Sequence, residues 1–139
     1  LRIAKENVWA LAREKRIYFI RGDFFQSLRS DDLRSHFQLV VSNPPYVPND
    51  ELASLPPSVK DYEPRKALDG GLAGLDYIRL IIQKAHLFLN PNGYLVMEIG
   101  LNQAEKVKRL VEDVKLWKDV KFLKDYQGID RILSMAKQG

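Results

Sequence analysis

The sequence predicts an α/β fold: a mostly parallel sheet covered by helices, closed at its C-terminal edge by an antiparallel hairpin. Short apolar, β-rich runs alternate with amphipathic stretches of a dozen or more residues, the pattern of strands joined by helical crossovers. The last two runs are linked by a short polar turn and have to be antiparallel, since parallel neighbours need a long crossover. At 139 residues, 45% hydrophobic and 29% charged, the chain has the size and composition of one compact globular domain.

The elements follow in order. Leu1–Lys15 reads as a helix through Ile3, Asn7, Ala10, Leu11 and Glu14, but no Ser, Thr, Asp or Asn precedes it as a cap. Its opening on Leu1 is expected to be the interior of a longer helix, and the chain a part of a longer one. Ile17–Ile20 is a first strand, ended by Arg21-Gly22-Asp23, and Phe37–Ser42 a second, stopped by Asn43-Pro44-Pro45. From Tyr46 to Ala73 the sequence carries Pro48, Pro56, Pro57, Pro64, Gly70 and Gly71 and reads as a long structureless loop, a length associated with function or a lid. Leu75–Leu89 is an amphipathic helix with Leu75, Ile78, Ile81, Ile82, Ala85, Phe88 and Leu89 on its apolar side. Asn90-Pro91-Asn92-Gly93 turns the chain into a strand at Tyr94–Ile99. Leu101–Lys115 is a further helix, with Leu101, Ala104, Val107, Leu110, Val111 and Val114 in register. Val120–Leu123 and Arg131–Met135 form the final hairpin across the turn Asp125 to Asp130. Ligands in such sheets sit at the carboxyl ends of the strands, which brings Asp23, Asn43 and Gly100 towards one crevice.

Composition narrows the function. Lys+Arg 22 against Asp+Glu 18 leaves a net charge of +4, too weak a field to demand a nucleic-acid partner. With no cysteine there is no disulfide framework, thiolate metal site or cysteine nucleophile. His36 and His86 stand alone, without ligand spacing, so no metal is expected. No apolar run is long enough for a membrane span or shaped like a signal peptide, so a cytoplasmic protein is expected.

Asn43-Pro44-Pro45-Tyr46, directly after a strand, carries the most chemistry. Pro44 and Pro45 have no N–H, so the local carbonyls stay free as acceptors. Asn43 offers both an acceptor and a donor, and Tyr46 a flat face. Such a set holds a planar –NH₂ in one orientation and presents its nitrogen to an electrophile, which suits amino-group methylation.

This motif resembles the [Asn/Asp]-Pro-Pro-[Tyr/Phe/Trp] signature of S-adenosylmethionine-dependent amino methyltransferases. Tyr62-Glu63-Pro64-Arg65-Lys66-Ala67-Leu68-Asp69-Gly70-Gly71 followed by Gly74-Leu75-Asp76, Met97-Glu98-Ile99-Gly100 with Gln103, and Lys124 to Arg131 are similar to segments of the HemK/PrmC glutamine methyltransferases. The resemblance runs from Ile3 to the C-terminal strand. It implies the C-terminal part of a class I, Rossmann-like methyltransferase sheet with its first two strands missing, and residues 1–139 as a partial catalytic domain. It further implies S-adenosyl-L-methionine as cofactor, and methylation of the glutamine in the Gly-Gly-Gln motif of a peptide-chain release factor, the expected protein partner of a monomer. By the same resemblance Asn43 binds the glutamine amide and lies beside the methionine end of the cofactor, Pro44 accepts from the amide through its carbonyl, and Pro45 and Tyr46 complete the substrate site. Asp23 and Phe24 take the adenine. The family's Gly-rich loop, the acidic residue that binds the ribose and the helical domain are not in the sequence, so the 139 residues alone are expected to bind cofactor weakly and to leave a sheet edge and apolar faces open.

Other residues have plainer readings. Glu98 is expected to be a structural carboxylate bonded to a nearby loop, with a catalytic base the alternative, and Glu63 with Arg65 a loop-ordering pair, with a direct substrate role the alternative. Asp31-Asp32 reads as a helix cap, Trp9 and Trp117 as packing anchors, and Lys106, Lys108, Arg109, Lys115, Lys118 and Lys121 as a solvated face that an acidic partner such as ribosomal RNA could use. Two further functions remain in view: a nucleic-acid amino methyltransferase acting on a flipped base, and a non-catalytic remnant or interaction module.

Overall fold

The computed structural model describes residues 1–11, 17–28 and 33–139. The chain divides into two compact units, Leu1–Asp31 and Asp32–Gly139.

In the first unit α1 spans Arg2–Ala10, with Leu1 at its N-cap making no side-chain bond. The rest of the helix expected to Lys15, and the Asp31-Asp32 cap, lie outside the described residues. Trp9 is not the packing anchor expected of it: it is 76% exposed, on a helix with no buried residue. Ile17–Ile20 is not a strand either. Ile17, Tyr18 and Ile20 are exposed, and a β-rich run becomes a strand only where a neighbour takes up its N–H and C=O groups. Asp23 is therefore not at a strand end; it precedes a 3-10 turn, Phe24–Ser27, whose Ser27 hydroxyl donates to the Phe24 carbonyl at 3.3 Å.

The second unit contains a mixed sheet of β1 (Phe37–Ser42), β2 (Leu89–Glu98), β3 (Trp117–Lys124) and β4 (Asp130–Lys137), in the order β1-β2-β4-β3. β1 and β2 run parallel, and β4 is antiparallel to both β2 and β3. The C-terminal hairpin is thus as expected, with its second strand inserted next to β2. Its turn is built by Asp125, whose Oδ1 accepts from the Gln127 and Ile129 amides at 2.8 and 3.1 Å. β2 begins five residues earlier than Tyr94. Leu89 pairs with Phe37 and Tyr94 with Leu39, so the expected Asn90–Gly93 turn survives as an irregularity inside the strand, with Asn92 at φ 62°.

α4 (Asp76–Lys84) and the 3-10 turn Ala85–Leu87 cross from β1 to β2, and α5 (Ala104–Val114) leads from β2 to β3. The helix expected to reach Leu89 ends at Lys84, and Leu89 instead opens β2; the apolar residues expected on its inner side, Leu75, Ile78, Ile81, Ile82, Ala85, Phe88 and Leu89, are nevertheless all buried, with Leu95, Met97, Leu133 and Met135 of the sheet. Leu101 departs from expectation, being 59% exposed, because α5 starts only at Ala104 and Leu101 belongs to the turn before it. Trp117 is an anchor: it is buried, and its indole N–H donates to the Ile82 carbonyl at 3.1 Å. Among the described strands β1 is an edge, and its Leu39 and Val41 are 52% and 68% exposed.

The segment from Tyr46 to Ala73 is not structureless. It holds a 3-10 turn at Leu52–Ser54, one-turn helices α2 (Pro57–Lys60) and α3 (Arg65–Leu68), and a parallel bridge between Val47 and Asp69. Pro57 and Arg65 follow prolines Pro56 and Pro64, whose fixed φ suits a helix start.

Candidate active site

The site lies where β1 ends. Asn43 is exposed, Pro44 is buried, and Pro45 and Tyr46 are half-buried. The chain then turns back on itself: the Val47 amide donates to the Leu68 carbonyl at 2.9 Å, and the Gly70 amide to the Val47 carbonyl at 2.8 Å. This return is possible because the glycine-rich turn fits against the motif's own backbone. A Cβ on Gly70 would lie 2.8 Å from both the Pro45 carbonyl oxygen and the Tyr46 Cα. A Cβ on Gly74, whose φ is +68°, would collide with the Tyr46 carbonyl. Those contacts give a physical reason for glycine at both positions.

The folded-back segment encloses a cavity of about 450 Å³ lined by Asn43, Pro44, Tyr46, Val59, Glu63 and Leu68, among others. That size fits a small polar side chain and its flanking backbone. Asn43 makes no side-chain hydrogen bond among the described residues, so its amide is available to a ligand.

Tyr46 is held from the opposite side. Its hydroxyl donates to Glu98 Oε1 at 2.7 Å, and the Arg131 guanidinium lies 5.7 Å from its ring centroid and 3.8 Å from the same carboxylate oxygen. Burial, reinforced by the Glu98 hydrogen bond and negative charge, pushes the Tyr46 hydroxyl above the usual tyrosine range, while Arg131 opposes the shift. Tyr46 is therefore a neutral aromatic surface and a donor. Glu98 is engaged with it and is poorly placed to act as a base.

Glu63 comes to the cavity, but the expected pairing with Arg65 does not form; Arg65 donates to Asp69 at 3.3 Å, one helical turn on. Asp23 and Phe24 belong to the first unit. His86 has a buried Nδ1 with no hydrogen-bond partner, and its ring meets Trp117 edge-on at 6.4 Å between centroids. Two residues of the site were legible only as parts of a resembling segment. Gln103 is buried at 4% exposure, and Arg131 stacks on Tyr46. A buried amide at a helix start was the available signal for the first.

No protein-family model matches the chain. Among curated proteins, the release factor glutamine methyltransferase of Geobacter sulfurreducens is 42% identical over 118 residues, 85% of this chain and 40% of the relative. The chain is a sequence relative of the release factor glutamine methyltransferases. The enzyme of that name from Moorella thermoacetica is 40% identical over 131 residues, 94% of this chain and 44% of its own length. The chain thus spans less than half of the curated relatives it matches. Among solved structures, the chain from the E. cuniculi Mtq2-Trm112 complex, responsible for methylation of the eRF1 translation termination factor, aligns with a TM-score of 0.53 at 20% identity, covering 96% of this chain and 68% of that one. This places the sheet within the class I methyltransferase fold. Among the described residues no helix is long and apolar enough to cross a membrane.

Proposed function

We propose that the chain is the C-terminal part of the catalytic domain of a methyltransferase acting on the side-chain amide of a glutamine in a release factor, the glutamine of the Gly-Gly-Gln motif. The observation that carries this reading is the cavity beside Asn43, whose unbonded amide, proline-flanked backbone and Tyr46 face suit a planar carboxamide. The relatives supply the substrate class through their names.

S-adenosyl-L-methionine is the cofactor this reading requires, and it supplies an electrophilic methyl group. The residues fit it in part. Asp23, which is exposed, has the acceptor for an adenine amino group, and the half-buried Phe24 a ring for its flat face. The sequence contains no Gly-rich strand–loop–helix for the other end, and that part is assigned to the rest of the polypeptide. Asn43 accepts one amide N–H through its side-chain oxygen and a backbone carbonyl of the motif takes the other. The two bonds fix the nitrogen's plane and aim its lone pair. Reaction then depends on approach to about 3–3.5 Å with correct orientation, and no strong base is needed, because the proton on the methylated nitrogen is acidic enough for solvent to remove. Tyr46, bonded to Glu98, stays a protonated and fixed wall of the site.

The test is incubation of the full-length polypeptide with methyl-labelled cofactor, a bacterial release factor and, separately, an adenine-containing oligonucleotide. Label on the Gly-Gly-Gln glutamine supports the proposal. Label on the oligonucleotide alone, or on neither, overturns it.

A further inference from the structure

Gln103 is the one buried polar residue among the described residues, and its side chain does not do what its position suggests. It occupies the N-cap of α5 yet makes no capping bond to that helix. Its amide instead reaches three separate segments. Oε1 accepts from the Gly100 amide at 2.7 Å. Nε2 donates to the carbonyls of Tyr46 at 2.9 Å, Gly74 at 3.2 Å and Ala73 at 3.3 Å. The end of β2, the motif loop and the glycine-rich turn therefore converge on one side chain. Its oxygen, the atom that could accept from the first amides of the helix, is turned to Gly100 instead, and its two N–H donors face the three carbonyls. The first turn of α5 forgoes its usual side-chain cap, and what is gained is a fixed carbonyl at Tyr46.

We propose that Gln103 is a positioning residue for the reaction. It sets the orientation of the Asn43–Tyr46 loop by holding Tyr46 at its backbone, while Glu98 holds the same residue at its hydroxyl. Tyr46 is gripped at both ends, and the peptide planes between Asn43 and Tyr46 inherit that constraint. The inference deepens the amide-methyltransferase reading and rests on it for its catalytic consequence, although the positioning itself does not.

The test uses the full-length polypeptide and Gln103→Glu, which keeps an acceptor for Gly100 and removes both donors. Amide hydrogen exchange is read at Gly100, at Val47 and Gly70 in the folded-back segment, and at sheet amides of β2 and β4. Exchange at Val47 and Gly70 is expected to rise about tenfold, with Gly100 and the sheet unchanged. In the methyl-transfer assay kcat is expected to fall about tenfold or more, with KM for the cofactor unchanged. If Gln103→Glu does not fold, Gln103→Met takes its place, and Gly100 is then expected to exchange faster as well. Unchanged exchange at Val47 and Gly70, or a rise that merely parallels the sheet, overturns the proposal. So does a wild-type kcat in a variant whose loop exchange has risen. A wild-type protein that transfers no methyl group refutes the functional reading instead, and the exchange pattern still decides the role of Gln103.

Discussion

Gly74→Ala measures how tightly the glycine-rich turn braces the motif. Gly74 has φ +68°, and its added Cβ would meet both the Tyr46 carbonyl and, at 2.7 Å, the Gln103 Nε2. Gly128, in the β3–β4 turn, has nearly the same backbone, φ +79°, with nothing within 4 Å of its added Cβ. The two substitutions share the cost of a left-handed alanine, about 1–2 kcal/mol. Only Gly74→Ala also has to push the Tyr46 peptide away and weaken the Gln103 bonds, which adds about 1 kcal/mol for each bond lost and brings its total to about 3–4 kcal/mol. Thermal unfolding followed by the fluorescence of buried Trp117 reads the difference directly. At roughly 4 °C per kcal/mol for a unit of about a hundred residues, the melting shifts are about 12–16 °C and 4–8 °C. Equal losses at the two glycines would refute the bracing argument, since the backbone cost would then account for everything.

Three further outcomes follow from other parts of the molecule. Burial first, and then the charges of Lys137 and Lys84, lower the His86 pKa below its ordinary value. The unfolded chain therefore binds the proton more readily, and the stabilising effect of neutral His86, complete above about pH 6.5, is lost as pH falls through the lower folded-state value. Urea midpoints measured from pH 8 to 5 should decline in the wild type and flatten over that window in His86→Phe. The Tyr46 hydroxyl titrates above the usual tyrosine range, and Glu98→Gln removes the carboxylate's share while leaving burial in place. Its pKa should move down without reaching the ordinary value, which a ¹³C-tyrosine NMR titration would show; no movement contradicts the Tyr46–Glu98 bond. Trp117→Phe leaves the Ile82 carbonyl without its donor in the core and should cost about 1–3 kcal/mol in urea unfolding followed by far-UV circular dichroism.

Much of the frame could be read from local pattern. β1 matches its expected bounds, and the apolar positions of α4 are buried one for one, because periodicity reports burial wherever a partner surface exists. The same logic fails where no such surface is present: Ile17–Ile20 and Trp9 look apolar and structured in sequence but are exposed. The Tyr46–Ala73 segment was misread for a different reason. Prolines read as breaks in the sequence, whereas Pro56 and Pro64 stand at the N-caps of one-turn helices, and Val47 pairs with Asp69 across the stretch. Within the site, Asn43 through Tyr46 were legible as a contiguous motif. The Tyr46–Glu98–Arg131 cluster and the Gln103 contacts were not, since they join residues dozens of positions apart and arise only when β1, β2 and β4 lie side by side.

The central claim is that Asn43 orients the amide that receives the methyl group. Steady-state kinetics of Asn43→Ala in the full-length polypeptide, with a release factor as substrate, tests it most directly. Loss of the acceptor that orients the reacting nitrogen should lower kcat by about a hundredfold or more with the fold intact, a cost of about 3 kcal/mol. A rate within a few-fold of wild type would place the chemistry elsewhere and contradict the account.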